Sequence, residues 1–161
     1  MTPIDYALTP LKKYATFSGR ARRQEYWWFY LLIVVLSVFA NLIDAALAGD
    51  GPPTPLVSGL VSLATFIPML AVTVRRFHDR DMSGLFVLVP LIGIAALFLF
   101  AIVGGAGGGT GGLFGGLAIG ALLVLIVAIW MLVMMLLAGT PGPNRYGEDP
   151  KRSEAGRYVA G

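Results

Sequence analysis

The chain has no cysteine and a single histidine, His78, among its 161 residues. The lack of cysteine excludes disulfides, cysteine–zinc sites, thiol nucleophiles and lipidation through sulfur. A single histidine excludes any site that needs two. Phosphate loops, dinucleotide fingerprints, nucleophile elbows and zinc-protease helices are also missing. The sequence therefore indicates no catalytic residue, no cofactor and no metal ligand, and we expect a protein that is not an enzyme.

Charged residues are scarce as well, and long apolar runs take their place. Charged residues make up 13% of the chain and hydrophobic residues 57%, against about 25% and about 45–50% in soluble domains. A bilayer core about 30 Å thick requires roughly 20 apolar residues per helix. Four stretches qualify, and they are 27–47, 56–74, 85–103 and 113–138. They predict an all-α, polytopic membrane protein with four transmembrane helices in one domain, 1–150, followed by a short polar cytoplasmic tail, 151–161.

The segments between the predicted spans differ in composition. Loop 48–55 holds three prolines, and loop 75–84 is rich in charge. Segment 104–112 has glycine at seven of its nine positions. Glycine has no side chain to bury and loses much entropy on ordering, so we expect a mobile loop there.

Glycine and proline also recur inside the spans. Gly112, Gly116 and Gly120 are four residues apart, which predicts close approach of another helix, either from this chain or from a second copy. Pro68 and Pro90 lie about 8–10 Å from the same end of their spans at 1.5 Å per residue. Two kinks at matched depth would open a shallow vestibule.

The distribution of lysine and arginine predicts orientation. All twelve fall in the N-terminal segment, the middle loop or the tail, and the other two loops have none. Positive residues are retained on the cytoplasmic side, so both termini and the middle loop are expected in the cytoplasm of a bacterial inner membrane. The twelve are Lys12, Lys13, Arg20, Arg22, Arg23, Arg75, Arg76, Arg80, Arg145, Lys151, Arg152 and Arg157.

The N-terminal segment carries its own pattern. Ile4, Leu8 and Leu11 recur at helical spacing and are followed by Lys12 and Lys13. This is typical of a short interfacial helix on the membrane surface, and the alternative is a frayed terminus. A net charge of +3 beside apolar spans favours contact with anionic lipid headgroups and no nucleic acid.

Loop 75–84 is the most distinctive polar segment. Arg75 and Asp79 are four residues apart and are expected to pair on a continuing helix. His78 with Asp79 and Asp81 could form a metal half-site or an acid–base pair. The neighbouring arginines would repel a cation, so an interfacial charge cluster that sets helix depth is the favoured interpretation.

Two further polar segments are expected at the same face. Glu25, at the start of the first span, can pair with Arg75 or Arg76 because consecutive spans run antiparallel. Glycine and proline in 139–150 end the last helix and hold Asn144 and Tyr146 in a fixed turn. The candidate cytoplasmic-face interaction cluster is Arg20, Arg23, Glu25, Arg75, Arg76, His78, Asp79, Ser83, Asn144 and Tyr146.

Asp44 is the one charged residue inside a predicted span. It invites a proton-relay or ion-binding interpretation. It lies three residues from the end of its span, so an interfacial position that reaches water is favoured, and Asn41 could share a polar contact with it.

Three segments, 17–27, 75–84 and 142–150, carry a resemblance to a known family. They read Phe-Ser-Gly-Arg through Glu-Tyr-Trp, Arg-Arg-Phe-His-Asp through Ser-Gly, and Gly-Pro-Asn-Arg-Tyr-Gly with a following proline. In this order they resemble the YhaH/YhaI-type bacterial inner-membrane proteins, the domain of unknown function 805 family. The resemblance implies a four-helix inner-membrane protein and no biochemical activity.

The function expected from these features is a non-enzymatic membrane module whose cytoplasmic face binds a protein or an anionic lipid headgroup. A homo-oligomer is possible. The alternative is a small oligomeric transporter or channel, because four short helices enclose little room for a pathway alone. A membrane-embedded enzyme is the third hypothesis.

Overall fold

The computed structural model of the protein describes residues 2–49 and 51–151, and every regular element among them is helical. The predicted all-α class is confirmed. Apart from Lys151, the predicted tail 151–161 lies outside the described residues. The elements are α1 (Pro3–Lys12), α2 (Arg23–Ala48), α3 (Leu56–Asp79), a 3₁₀ helix (Gly84–Leu88) and α4 (Val89–Leu136). The described residues form two compact units, one made of those up to Gly84 together with Ala138–Lys151, and the other of Leu85–Leu137.

The predicted N-terminal helix is confirmed as α1. Thr2 caps it, because its hydroxyl accepts the Asp5 N–H at 3.2 Å while the Asp5 carboxylate accepts the Thr2 N–H at 2.8 Å. This reciprocal arrangement satisfies two backbone donors that a helix start leaves unpaired. Ile4 and Leu8 remain exposed, and α1 packs against α2 and α3.

α2 and α3 run antiparallel, and Asp44 joins their far ends. Its carboxylate accepts the backbone N–H of Val57 at 2.8 Å and of Ser58 at 2.9 Å, and the Ser58 hydroxyl at 2.6 Å. Asp44 is only 3% exposed, so the predicted solvent-reaching position is wrong. It caps the first turn of α3, whose N–H groups have no partner within the helix. Asn41 donates instead to the Ser37 carbonyl at 2.7 Å.

Pro68 lies inside α3 and is fully buried. Its ring nitrogen has no hydrogen, so the carbonyl of Ala64, four residues earlier, lacks its helical donor. The hydroxyl of Tyr14 donates to that carbonyl at 2.9 Å. The N-terminal segment therefore satisfies a backbone group that proline leaves open.

The glycine-rich segment 104–112 is helical, so the predicted mobile loop is wrong. α4 continues through it, and the sole non-helical residue inside α4 is Gly109, with φ 60° and ψ −143°. A positive φ of this kind is accessible to glycine without steric cost. One residue reverses the chain where a nine-residue loop was expected.

The two arms of α4, 89–108 and 110–136, pack against each other as an antiparallel pair. A Cβ built on Gly120 would lie 2.6 Å from Cα of Leu97, and one on Gly116 would collide with the Phe100 carbonyl. Gly104 and Gly112 meet at backbone contact near the turn. The predicted close approach at the spaced glycines is confirmed, and the partner helix comes from this chain.

Four separate spans were predicted, and three helices of the described chain are long and apolar enough to cross a membrane. They are Arg23–Ala48, Leu56–Asp79 and Gly84–Leu136. The third covers both the third and the fourth predicted spans, because the turn at Gly109 leaves no loop between them. The predicted kink at Pro90 is also wrong, since Pro90 occupies the first turn of α4, where proline fits without breaking a hydrogen bond.

Candidate functional site

Arg20 and Asp79 form the centre of a buried polar network. Nε of Arg20 donates to Oδ1 of Asp79 at 3.0 Å, and Nη1 of Arg76 donates to Oδ2 at 2.5 Å. The arginine side chains are 1% and 0% exposed. The predicted Arg75–Asp79 pair is wrong, because Asp79 faces Arg76 on its own helix and Arg20 from the segment before α2.

The segment that follows α4 folds onto this pair. Nη1 of Arg20 donates to the Gly142 carbonyl and Nη2 to the Thr140 carbonyl, each at 2.6 Å. Thr140 returns two bonds to the Asp79 carbonyl, from its N–H at 2.8 Å and its hydroxyl at 3.1 Å. A Cβ on Gly139 would collide with the Asp79 carboxylate. The Thr140 and Gly142 carbonyls lie outside any helix, and Arg20 supplies the hydrogen-bond donors that water would otherwise provide.

His78 and Tyr146 stack face to face. Their ring centroids are 3.9 Å apart and the planes differ by 4°. Nδ1 of His78 lies 3.2 Å from the Gly19 carbonyl, so that nitrogen carries the proton and donates. Asn144 donates to the His78 carbonyl at 2.9 Å and accepts the Tyr146 N–H at 2.9 Å, which fixes the turn that carries the tyrosine.

The predicted pairing of Glu25 with Arg75 or Arg76 is confirmed, and the partner is Arg75. Nη1 of Arg75 donates to Oε1 of Glu25 at 2.5 Å, and the two side chains are 1% and 9% exposed. The Arg75 carbonyl accepts the Ala21 N–H at 3.0 Å. Nε and Nη2 of Arg75 are buried without a hydrogen-bond partner among the described residues. The Glu25 carboxylate therefore compensates the positive charge of the buried Arg75 guanidinium.

The chain leaves α3 through a tight turn at Asp81. Its φ is 58°. The Met82 N–H donates to the Phe77 carbonyl at 3.0 Å, and the Asp81 N–H donates to the His78 carbonyl at 3.0 Å. These two bonds define a Schellman motif, which usually has glycine at this position. Ser83 follows, partly buried. At Gly84 a Cβ would approach Val74 at 2.6 Å and Nε2 of His78 at 3.1 Å.

A pocket of about 330 Å³ opens between the start of α2 and the segment after α4. Arg23 lies in its wall. The pocket is lined by Arg20, Arg22, Arg23, Gln24, Asp79, Gly139, Thr140, Pro141, Asp149, Pro150 and Lys151.

Several of these pocket residues were missed from the sequence. Asp149 accepts the N–H of Lys151 at 2.9 Å and of Gly142 at 3.2 Å. The Lys151 N–H bond, followed by that from Gly142 and by the nearby Arg20 charge, holds the pKa of Asp149 below its usual range. Arg22 donates to the Pro150 carbonyl at 2.5 Å. The feature of the sequence that could have identified Arg22 is the presence of three arginines, Arg20, Arg22 and Arg23, within four residues.

The arrangement suits binding of an anion more than acid–base chemistry. The carboxylates of Asp79 and Glu25 are engaged by arginines, and His78 is stacked and bonded to a carbonyl. Within residues 2–49 and 51–151, no group of three His, Asp or Glu side chains is placed to hold a metal ion. Arginine and lysine side chains in a concave wall are the groups that proteins use for phosphate and carboxylate.

Comparisons with known proteins identify a family that covers most of the chain. The family described as "Protein of unknown function (DUF805)" matches residues 14–148. The inner membrane protein YhaI of Escherichia coli (strain K12) is 38% identical over 148 residues, which cover 92% of this chain and 97% of that protein. The inner membrane protein YhaH of the same strain is 31% identical over 155 residues, covering 92% and 98%. No solved structure matches the chain. The chain therefore belongs to the DUF805 family of proteins of unknown function.

Proposed function

We propose that this protein is a non-enzymatic inner-membrane module that crosses the bilayer four times and binds anionic lipid headgroups at its cytoplasmic face. The observation that carries the proposal is the basic pocket at the start of α2, which adjoins a cluster of aromatic rings. Tyr26, Trp27 and Tyr30 contact one another with ring centroids 5.3–6.4 Å apart. Tryptophan and tyrosine concentrate where headgroups meet the hydrocarbon.

Four crossings are supported by the lengths of the two arms of α4. At 1.5 Å per residue, arm 89–108 is about 30 Å long and arm 110–136 about 40 Å long. Each matches or exceeds the hydrocarbon thickness of about 30 Å. α2 and α3 supply the other two crossings. Apolar side chains such as Phe39, Leu63 and Phe98 are more than half exposed, and surface of that kind is suited to lipid.

The orientation follows from where the basic residues lie within the first compact unit. The Glu25–Arg75 pair puts the start of α2 beside the end of α3, and Arg20 ties the segment after α4 to the same end. Arg145 also belongs to this end, where it pairs with Asp81 at 3.1 Å. The positive-inside rule assigns such an end to the cytoplasm, and the E. coli relatives are named as inner membrane proteins.

A lipid headgroup fits the pocket better than a protein partner does. Stable protein interfaces bury about 800 Å² on each partner, whereas this feature is a concave space of about 330 Å³. That volume is at the lower end of the range of about 300–1,000 Å³ for small-ligand sites. A protein partner remains the other hypothesis for this face.

A small oligomeric transporter or channel is the second candidate function. Asn41 is exposed on α2 in a shallow apolar groove of about 550 Å³. A polar amide facing lipid is costly, and a second copy of the chain would cover it. Asp44, however, is engaged as the cap of α3, so it is not available as a transport site.

Native mass spectrometry of the full-length protein tests the proposed function. The protein would be extracted from bacterial membranes in a maltoside detergent, and the retained phospholipids compared with the bulk membrane composition. We expect enrichment of anionic over zwitterionic phospholipid. Retained lipid that matches the bulk composition would contradict the proposal. Specific copurification of a protein would favour the protein-binding hypothesis.

A further inference from the structure

Four residues of α2, Tyr30, Val34, Ser37 and Asn41, form a stripe along one face of the helix. Tyr30, Val34 and Asn41 are exposed and Ser37 is partly buried. With apolar neighbours they line the shallow groove of about 550 Å³. Successive members are four, three and four residues apart, which is the spacing of the a and d positions of a coiled coil. The α2 stripe therefore has the pattern of a surface that packs against another helix.

Asn41 makes the α2 stripe poorly suited to hydrocarbon. It lies seven residues before the end of α2 at Ala48, or about 10 Å at 1.5 Å per residue. Its side chain lacks the long stem with which lysine and arginine reach the interface. Nδ2 of Asn41 donates to the Ser37 carbonyl at 2.7 Å, and within the described part of the chain the amide oxygen accepts no bond. Because an unsatisfied polar group is costly in an apolar medium, this amide requires a partner.

A second copy of the chain supplies that partner. The oxygen and the second N–H of one Asn41 amide are complementary to the N–H and the oxygen of another, so a symmetric pair exchanges two hydrogen bonds. Hydrocarbon tails offer neither group. α4 is almost as apolar, with Thr110 and Trp130 as its only side chains that carry a hydroxyl or an N–H.

The orientation of the chain in the bilayer determines how two copies meet. Copies that insert in the same direction are related by a twofold axis along the membrane normal, so their α2 helices run parallel. In such a self-complementary contact each residue of the stripe lies at the depth of its equivalent, and Asn41 faces Asn41. A single asparagine at an a position specifies the register and the oligomeric state of parallel coiled coils.

We propose that the protein forms a parallel homodimer through the α2 stripe, with reciprocal hydrogen bonds between the two Asn41 amides. The small side chain of Ser37, one turn away, lets the two helices approach closely. This inference is independent of the proposed lipid binding, because the stripe shares no residue with the lining of the basic pocket.

Disulfide crosslinking in native membranes tests the interface, and the lack of cysteine in the chain leaves no background. Val34→Cys places a thiol in the stripe. The matched control, Phe39→Cys, places one at an exposed position on the opposite side of α2. We expect oxidation of membrane vesicles to give a disulfide-linked dimer from Val34→Cys and little from Phe39→Cys. Equal crosslinking of the two variants would indicate random collision and would overturn the interface.

Förster transfer between copies labelled at the C-terminus measures association in phosphatidylcholine vesicles, which contain no anionic lipid. Asn41→Leu removes the amide, and Asn41→Gln keeps one. The control, Ser62→Ala, removes an exposed hydroxyl from α3. We expect Asn41→Leu to weaken association about fivefold or more, from the strength of hydrogen bonds between transmembrane helices in model peptides. Asn41→Gln should retain most of the association, and Ser62→Ala should change it less than about twofold.

Two results of the transfer experiment would contradict the proposal. Unchanged association of Asn41→Leu would show that the amide is not part of the interface. Transfer that never exceeds the level of random collision, at any ratio of protein to lipid, would show that the chain does not dimerise. Neither result bears on lipid binding. Retained lipid that matches the bulk membrane, together with a dimer from Val34→Cys, would contradict the proposed function and support the homodimer.

Discussion

Replacing Asp79 by asparagine removes a carboxylate that two buried guanidinium groups share. Arg20 lies 2.9 Å from Oδ1 and Arg76 lies 2.5 Å from Oδ2, and both arginine side chains are at most 1% exposed. An amide retains one acceptor oxygen but turns an NH₂ group toward one of these donors. Removing one partner of a buried ion pair costs about 3–5 kcal/mol, because the other charge stays buried without compensation. We expect Asp79→Asn to lower the free energy of unfolding by at least about 3 kcal/mol.

The matched control is Asp81→Asn, the same change two residues further on. Asp81 pairs with Arg145, but the two side chains are 47% and 60% exposed, and exposed pairs contribute about 0–1 kcal/mol. Its φ of 58° suits asparagine as well as aspartate. Unfolding in mixed micelles of maltoside and sodium dodecyl sulfate, followed by tryptophan fluorescence, would give both free energies. Similar losses in the two variants would refute the assignment of Asp79 to the centre of the network.

Three further substitutions test other contacts of the fold in the same unfolding assay. Glu25→Ala should lower the free energy of unfolding by about 3–5 kcal/mol, because Arg75 then stays buried without its carboxylate partner. Glu148→Ala, at an exposed position, should lower it by less than about 1 kcal/mol. Equal losses would mean that Glu25 is exposed to solvent and does not stabilise the fold. Tyr14→Phe should lower the free energy of unfolding by about 1 kcal/mol, because the Ala64 carbonyl loses its hydrogen bond from the Tyr14 hydroxyl. Unchanged stability would show that this carbonyl finds another donor. Gly116→Ala should destabilise the α4 arms while Gly115→Ala, with nothing within 4 Å of its Cβ, should not; the opposite order would refute the packing of the arms.

The helices were predictable from the sequence because long apolar runs need no tertiary information. The cap of α1 by Thr2 and Asp5 is equally local, since its residues are three apart. Asp44 was harder to assign. Asp44 belongs to α2, but its partners Val57 and Ser58 belong to the next helix. Because the sequence does not show that contact, a charged residue near the end of a span was predicted to reach water.

The segment 104–112 was misassigned because intrinsic propensity favoured a loop. Glycine is a poor helix former, but here its missing side chain allows two arms to meet at backbone contact. A Cβ on Gly104 would collide with the Gly112 carbonyl. Packing thus offsets propensity, and only Gly109 keeps the non-helical conformation that was expected of the whole segment.

The convergence of the polar segments was predictable in outline, but their pairing was not. Positive residues at the same end and antiparallel spans brought Glu25 and Arg75 together, as expected. Arg20 is different, because its partners are Asp79 and the carbonyls of Thr140 and Gly142. These lie about 60–120 residues away, where spacing rules for a single helix say nothing.

The most direct test of the central claim is a set of reporter fusions that reports the side of the membrane at four positions. The account requires four crossings with the polar network in the cytoplasm. Fusions at Gly51 and Gly108 should therefore read as periplasmic, and fusions at Met82 and Gly161 as cytoplasmic. A cytoplasmic reading at Gly108 would show that the two arms of α4 do not each cross the bilayer and would contradict the account.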